Sequence, residues 1–128
     1  MKINTELFGE LEINKEDIIN FPSGLIGLEK YQGFVLMDLP DNPFFKWLQS
    51  IEDSSLALLV ANPFQFFPDY EFELTEGEKD FLALEKAQDC LTLVIISMPG
   101  KDIAKITANL LGPIVVNVKT KKAKQGKE

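Results

Sequence analysis

The side chains that could carry chemistry in this chain are a single cysteine and a large excess of carboxylates. Cys90 is the only cysteine, and the 128 residues include neither histidine nor arginine, so all 13 basic residues are lysines. Histidine is the commonest general base and transition-metal ligand, and Ser-His-Asp or Cys-His nucleophiles require it. We therefore predict no catalytic residue, no metal site and no cofactor, although carboxylate and lysine chemistry stay formally open.

The cysteine and the carboxylates each have a simpler interpretation than catalysis. Cys90 leads into the apolar run 91–98, and free cysteine is among the most buried residue types, so we interpret it as a core residue. The acids crowd residues 69–89, but the loop spacing of a calcium site, with its turn glycine and closing glutamate, is absent. An enzyme that uses Cys90 or a carboxylate pair remains one alternative hypothesis.

The charge is unevenly distributed along the sequence. The net charge is −7, yet residues 1–118 hold 8 lysines and 19 acids, a net of −11. Five of the remaining ten residues are lysines: Lys119, Lys121, Lys122, Lys124 and Lys127. A body this negative repels nucleic acid phosphates, and the arginine fork that grips phosphates and guanine edges is missing. The composition thus predicts no direct nucleic acid binding and favours a partner with a basic surface.

Two aromatic segments are candidates for protein binding. In the first, Phe45 and Trp47 share one face of a strand and Phe44 takes the other, so at least one ring lies near the surface. The second, Asn62–Tyr70, brackets mostly aromatic residues with two prolines, and a loop this apolar either tucks into the core or meets a partner.

An acidic stretch, Asp69–Asp89, follows the second aromatic segment directly. Apolar groups rimmed by one sign of charge suit a complementary protein interface, because burial supplies affinity and the field steers the encounter. The predicted partner-binding residues are Phe44, Trp47, Phe67, Asp69, Tyr70, Glu71 and Glu73.

Short apolar runs separated by proline and glycine predict the elements that position these side chains. The spacing is typical of an all-β sandwich or barrel, and we expect a mainly β, compact, single-domain β-barrel-like fold of short antiparallel strands. One segment differs, because Thr75 and Glu78 form a capping box ahead of a helical apolar stripe, which predicts one short helix over 76–86. The predicted strands are 2–7, 10–13, 17–21, 33–39, 45–51, 56–61, 91–98, 106–111 and 114–119.

The same pattern predicts the organisation of the chain. We expect one β domain over 1–118, followed by a lysine-rich C-terminal tail over 119–128 that is solvated and frayed. No apolar run reaches the length of a membrane-spanning helix and the N-terminus lacks a secretory apolar core. These features predict a cytoplasmic protein without membrane contacts.

Four segments, in this order and spacing, resemble the flagellar assembly factor family FliW. They are FPSGLIGLEKYQGF, NPFFKWLQSIED, NPFQFFPDY and ITANLLGPIVVN, and the resemblance spans about residues 3–125. Ile26 stands where the family usually has proline, and Leu28 where it usually has phenylalanine. Family members usually continue through another strand and a basic ending.

The resemblance implies a monomer without enzymatic activity that binds two partners in turn. One is flagellin before its export. The other is the carbon storage regulator CsrA, a small RNA-binding dimer that represses flagellin translation and that the freed factor sequesters. The alternative from another class is a small-ligand-binding β-barrel whose pocket is lined by the aromatic residues. A dry, filled barrel with no cavity above about 300 Å³ would exclude it.

Overall fold

The described residues of the chain form a mainly β structure with one short helix. In this computed structural model the described residues are 1–39, 42–71, 74, 76–84, 87–97, 107–108 and 112–126. The strands are β1 Lys2–Thr5, β2 Gly9–Glu12, β3 Ile19–Asn20, β4 Gly33–Leu39, β5 Asn42–Ser50, β6 Ala57–Ala61, β7 Cys90–Ser97, β8 Thr107–Ala108, β9 Ile114–Asn117 and β10 Ala123–Gln125. The helix, α1, spans Glu76–Leu82.

Antiparallel pairing joins these strands into one main sheet and one hairpin. β1 pairs with β2, and the main sheet runs in the order β10-β9-β7-β6-β5-β4-β3 with β8 beside β7. Because side chains alternate along each strand, one face of the main sheet collects the principal core. That core contains Phe34, Leu48, Val60, Leu93, Ile114 and Val116, together with Ile19 and Ala123 from the two end strands.

The two ends of the main sheet meet at one point, which makes the fold barrel-like without closing it. The amide of Asn20 donates to the carbonyl of Lys121 at 2.7 Å, and Asn20 forms an isolated parallel bridge with Lys122. We call this junction the seam. The principal core therefore lies inside a sheet that bends round on itself, as the prediction of a barrel-like fold requires.

The loop after β3 seals one end of this core. Phe21 and Leu25 are buried, and the Phe21 ring meets Phe34 edge to face with centroids 5.4 Å apart. Gly24 has a φ of +69°, and a Cβ atom there would lie 2.4 Å from the Cα of Glu29. Only glycine fits this turn, because both the dihedral angle and the close backbone approach forbid a side chain.

A buried glutamine fixes the turn between β5 and β6. Gln49 lies on the outer face of the sheet, and its Nε2 donates to the carbonyls of Ser50, Asp53 and Leu56 at 3.0, 3.4 and 3.1 Å. The carbonyls of Leu56 and Asp53 also accept from the amides of Ser50 at 2.9 Å and Leu56 at 3.1 Å, so the Gln49 side chain adds to the backbone hydrogen bonds of this turn. These bonds fix the C-terminal end of β5, the strand that carries Phe44 and Trp47.

The outer face of the sheet is covered by the β1–β2 hairpin at one end and by α1 at the other. Ile3 and Ile13 pack on Val35 beneath the hairpin, and Leu82 of α1 is fully buried. Asn117 on β9 holds the end of α1, because its Nδ2 donates to the carbonyls of Leu82 at 2.8 Å and Ala83 at 3.3 Å. Its Oδ1 accepts from the amides of Lys119 at 2.9 Å and Thr120 at 3.4 Å.

The helix is shorter than predicted because Ala83 ends it in the left-handed conformation. Ala83 has a φ of 54°, its amide donates to the carbonyl of Asp80, and the amide of Leu84 donates to that of Lys79. These two bonds form the Schellman motif that terminates many helices, usually with glycine at the left-handed position. The predicted cap Thr75 lies outside the described residues.

Replacing Ala83 by glycine should stabilise the protein. Alanine in the left-handed region carries a steric penalty that glycine lacks, and we expect Ala83→Gly to raise the free energy of unfolding by about 0.5–1 kcal/mol. Urea denaturation measures the change. Ala57→Gly, in a regular strand, is the matched control and should destabilise, so a loss of stability in Ala83→Gly as well would contradict the left-handed helix end.

The prediction of a solvated, frayed tail is wrong through Gly126. Residues 118–120 form a turn, β10 pairs with β9, and Ala123 and Gln125 are buried. The Gln125 Oε1 accepts from the amide of Ile26 at 2.9 Å, and its Nε2 donates to the carbonyl of Gly112 at 3.0 Å. The amines of Lys122 and Lys124 lie 4.1 and 5.3 Å from the Phe81 ring centroid, which ties β10 to α1.

Candidate protein-binding site

Four exposed phenylalanine side chains lie on strand β5 and on the Asn62–Tyr70 loop, and we call them the aromatic patch. Phe44, Phe64, Phe66 and Phe67 are 49%, 41%, 44% and 44% exposed. Single exposed apolar residues are ordinary on a protein surface, but neighbouring aromatic rings left open to water mark a surface for burial against another molecule. The patch is therefore the best candidate for a binding site among the described residues.

Local hydrogen bonds fix the backbone that carries the patch. Asn62 caps a short 3₁₀ turn, Pro63–Gln65, by accepting from the amide of Phe64 at 2.9 Å. The amide of Phe67 then donates to the carbonyl of Pro63, and the amide of Tyr70 to the carbonyl of Phe67, at 2.8 and 2.9 Å. Asparagine followed by proline favours this type of turn initiation, so the loop is shaped by its own sequence.

Phe66 joins the two aromatic segments of the sequence. Its ring stacks on Phe45 with centroids 5.5 Å apart and meets Phe44 edge to face at 5.8 Å. Phe64 contacts Tyr70 in the same loop at 5.7 Å. These are ordinary separations for attractive ring pairs, so the rings support one another while their outer faces stay exposed.

The structure brings most of the predicted partner-binding residues to this loop and strand. Asp69 and Glu71 are exposed and flank the half-buried Tyr70. Trp47 is half-buried on the same strand face as Phe45, between its cross-strand neighbours Met37 and Leu59. Glu73 lies outside the described residues. Whether these side chains contact a partner stays a prediction.

As far as the structure describes residues 69–89, their acidic side chains do not form a single face. Asp89 is buried, and its carboxylate pairs with the amine of Lys119 at 3.4 Å, while Glu76 pairs with Lys79 at 3.5 Å within α1. Because Asp89 is buried next to the β9–β10 turn, it lies apart from the exposed acids of the stretch. The negative charge beside the aromatic patch is therefore supplied by Asp69 and Glu71 among the described residues.

Phe64 and Phe66 are absent from the predicted site residues although they belong to the patch. The sequence shows both inside the Asn62–Tyr70 segment, but strand alternation does not extend into a 3₁₀ turn. Their orientation therefore depends on the Asn62 cap. The Asn-Pro pair that begins the turn was the available signal.

Cys90 and the grooves of the structure give little support to the rival hypotheses. Cys90 is half-buried rather than buried as predicted. Desolvation raises the pKa of its thiol, and this effect is larger than the opposing effect of the contact with Thr92 Oγ1 at 4.0 Å. A raised thiol pKa leaves less of the nucleophilic thiolate. Two solvent-open grooves of about 440 and 330 Å³ exceed the size set for a ligand pocket, but no aromatic side chain lines either of them among the described residues.

Comparison with known proteins identifies the family of this fold. The family described as FliW protein matches residues 2–126. The chain belongs to the FliW family. It is 42% identical over 126 residues to the flagellar assembly factor FliW of Alkaliphilus metalliredigens, an alignment that covers 98% of this chain and 77% of that protein. The FliW of Moorella thermoacetica is 39% identical over 117 residues, covering 91% of this chain and 74% of the relative.

A solved FliW structure has the same fold. The crystal structure of the flagellar assembly factor FliW superposes with a TM-score of 0.92 at 34% identity, and covers 100% of this chain and 89% of that one. The mainly β fold class and the resemblance to FliW are thus confirmed. No helix in the described part of this FliW family member is long and apolar enough to cross a membrane.

Proposed function

We propose that this protein is a non-enzymatic, cytoplasmic flagellar assembly factor that binds flagellin and also the carbon storage regulator CsrA, and so relieves repression of flagellin translation. The single observation that supports a binding role best is the aromatic patch, whose exposed rings lie beside Asp69 and Glu71. Membership of the FliW family connects that role with the flagellum.

Charge favours an RNA-binding protein as one partner. A protein that grips RNA presents positive potential, and residues 1–118 of this chain carry a net −11. Opposite fields of this kind raise the association rate, while packing of rings such as Phe67 and Tyr70 slows dissociation. The factor itself should bind no RNA and should be monomeric without its partners.

Docking of an acidic protein beside an RNA site weakens RNA binding without covering the whole site. Two like charges about 4 Å apart repel by about 4 kcal/mol at an effective dielectric constant of about 20. Charges about 10 Å away are partly screened, but several of them together still contribute a few kcal/mol. Asp69, Glu71 and Glu73 are the carboxylates we assign to this effect.

Reversing the charge beside the patch should slow association with the regulator. We expect the double variant Asp69→Lys, Glu71→Lys to lower the association rate constant for CsrA about 10-fold at low salt, and less at high salt, since screening shortens the reach of the field. Surface kinetics at two salt concentrations measure both rates.

The matched control changes the same number of charges elsewhere. Glu6 and Glu16 are exposed on the hairpin side of the protein, and Glu6→Lys with Glu16→Lys should retain most of the wild-type association rate. Equal rates for both double variants would mean that net charge acts without a local site. An unchanged rate in the Asp69, Glu71 variant, with no salt dependence of wild-type binding, would refute the acidic docking mechanism.

A further inference from the structure

The outer edge of β4 is open over most of its length. On one side β4 pairs with β5 from Phe34 to Leu39, with a register shift between Asp38 and Leu39, but on the other side β3 pairs only with Gly33 and Phe34. The pairing stops there because residues 15–17 form a 3₁₀ turn, Lys15–Asp17, instead of extending β3. No other described strand occupies the position beside residues 35–39.

The hydrogen-bond phase of β4 shows which backbone groups face this opening. The amide of Ile51 donates to the carbonyl of Gly33, so every second residue from Gly33, including Val35 and Met37, bonds toward β5 in an antiparallel ladder. The amide of Phe21 donates to the carbonyl of Gln32, which makes Phe34 the last residue bonded to β3. The amides and carbonyls of Leu36 and Asp38 therefore point outward without a strand partner.

A groove runs along this edge. Its volume is about 330 Å³, and it is lined by Val35, Leu36 and Met37 on one side and by Ile13, Ile19, Glu12, Asp17 and Lys121 around them. Val35, Ile13 and Ile19 are buried, whereas Leu36 and Met37 are only half-buried, so Leu36 and Met37 offer the apolar surface to an incoming residue. The groove thus combines unpaired backbone groups with an apolar contact, which is what strand addition uses.

We propose that this groove, the β4 slot, binds a short extended segment of another protein as an added strand. The segment pairs its backbone with Leu36 and Asp38, places a β-branched apolar residue against the half-buried Met37, and carries a lysine or arginine that meets Asp17. This surface is separate from the aromatic patch and does not depend on which partners bind there.

Charge selects a cationic segment. Of the two carboxylates at the slot, Glu12 already pairs with the Met1 amino group at 2.9 Å, whereas Asp17 is exposed and available. Lys121 lies at the seam, where its carbonyl accepts from Asn20, so the cation of the segment belongs at the Asp17 end. The net charge of −7 on the whole chain also attracts a positively charged segment at longer range.

The test uses a synthetic peptide of alternating valine and threonine with lysine at each end, titrated into the ¹⁵N-labelled full chain. Binding should shift the Leu36 and Asp38 amide signals and slow their hydrogen exchange. A peptide with central proline should not bind, and one with glutamate in place of lysine should bind more weakly. Asp17→Lys should reduce affinity about 10-fold, while the matched control Glu16→Lys, outside the slot, should change it much less.

Three results of the peptide experiments would overturn the proposal, and a fourth comes from the Phe66→Ala variant described last. The first three are unchanged exchange at Leu36 with saturating peptide, equal binding of the proline peptide, and equal losses in Asp17→Lys and Glu16→Lys. Phe66→Ala separates the slot from the proposed function, since it alters the aromatic patch alone. Retained peptide binding in that variant supports an independent slot, and lost binding would assign the peptide to the patch and contradict the slot.

Discussion

Replacing Asn117 by alanine should lower the free energy of unfolding by about 2–4 kcal/mol, enough to reduce the melting temperature by about 10 °C. The Asn117 side chain is buried and makes hydrogen bonds to two carbonyls at the end of α1 and two amides of the β9–β10 turn. Alanine leaves these groups without their partner, and buried polar groups without partners are costly. Thermal and urea denaturation measure the loss.

One further variant tests the donor side of the Asn117 amide, and another serves as a surface control. Asn117→Asp keeps an acceptor for the amides of Lys119 and Thr120 but places a carboxylate against the carbonyls of Leu82 and Ala83, so it should be at least as destabilising as alanine. Gln88 is an exposed amide residue, and Gln88→Ala should change stability by less than about 0.5 kcal/mol. Similar stabilities of Asn117→Ala and Gln88→Ala would show that α1 does not depend on Asn117.

Replacing Phe66 by alanine should weaken binding of the partner that docks on the aromatic patch by about 30-fold or more, which corresponds to about 2 kcal/mol. Phe66 is the ring that contacts both Phe44 and Phe45, so its removal opens the centre of the patch. Fold stability should change little by comparison, since almost half of the side chain is already exposed.

Purified flagellin and purified CsrA are the two ligands for this measurement, titrated separately by calorimetry. Leu7 is also about half exposed and lies on the β1–β2 turn, so Leu7→Ala controls for the loss of exposed apolar area. If Phe66→Ala weakens only one partner, the two partners use different surfaces. If the folded variant binds both with wild-type affinity, the aromatic patch is not a docking site.

The sequence predicted the central strands better than the C-terminal end of the chain. The bounds 33–39 predicted for β4 agree with the structure, because this strand is apolar on both faces over most of its length. β10 was missed because its buried positions are Ala123 and Gln125, which have the composition of solvated residues. Gln125 tolerates burial only through its bonds to Ile26 and Gly112, and Ile26 is 99 positions away in sequence.

The candidate site was predicted in composition but not in geometry. Alternation along β5 placed Phe44 opposite Phe45 and Trp47, and the exposure of Phe44 agrees with the expectation that one ring reaches the surface. The contact of Phe66 with both Phe44 and Phe45 depends on a tertiary approach of the loop to the strand, which local sequence does not encode. The burial of Asp89 depends likewise on its pairing with Lys119 across the sheet.

The seam has a consequence for how the chain acquires its structure during synthesis. The Asn20–Lys121 contact and the Ile26–Gln125 bond join segments about a hundred residues apart, and the latter pair is separated by 99 positions. Contacts this distant form late, because a long loop must close before they contribute any stabilisation. While residues 121–126 are still inside the ribosome, the core residues Ile19, Phe21 and Leu25 therefore stay exposed to solvent. In that interval a nascent chain should be open to chaperones and proteases, and it becomes resistant only when β10 reaches the seam.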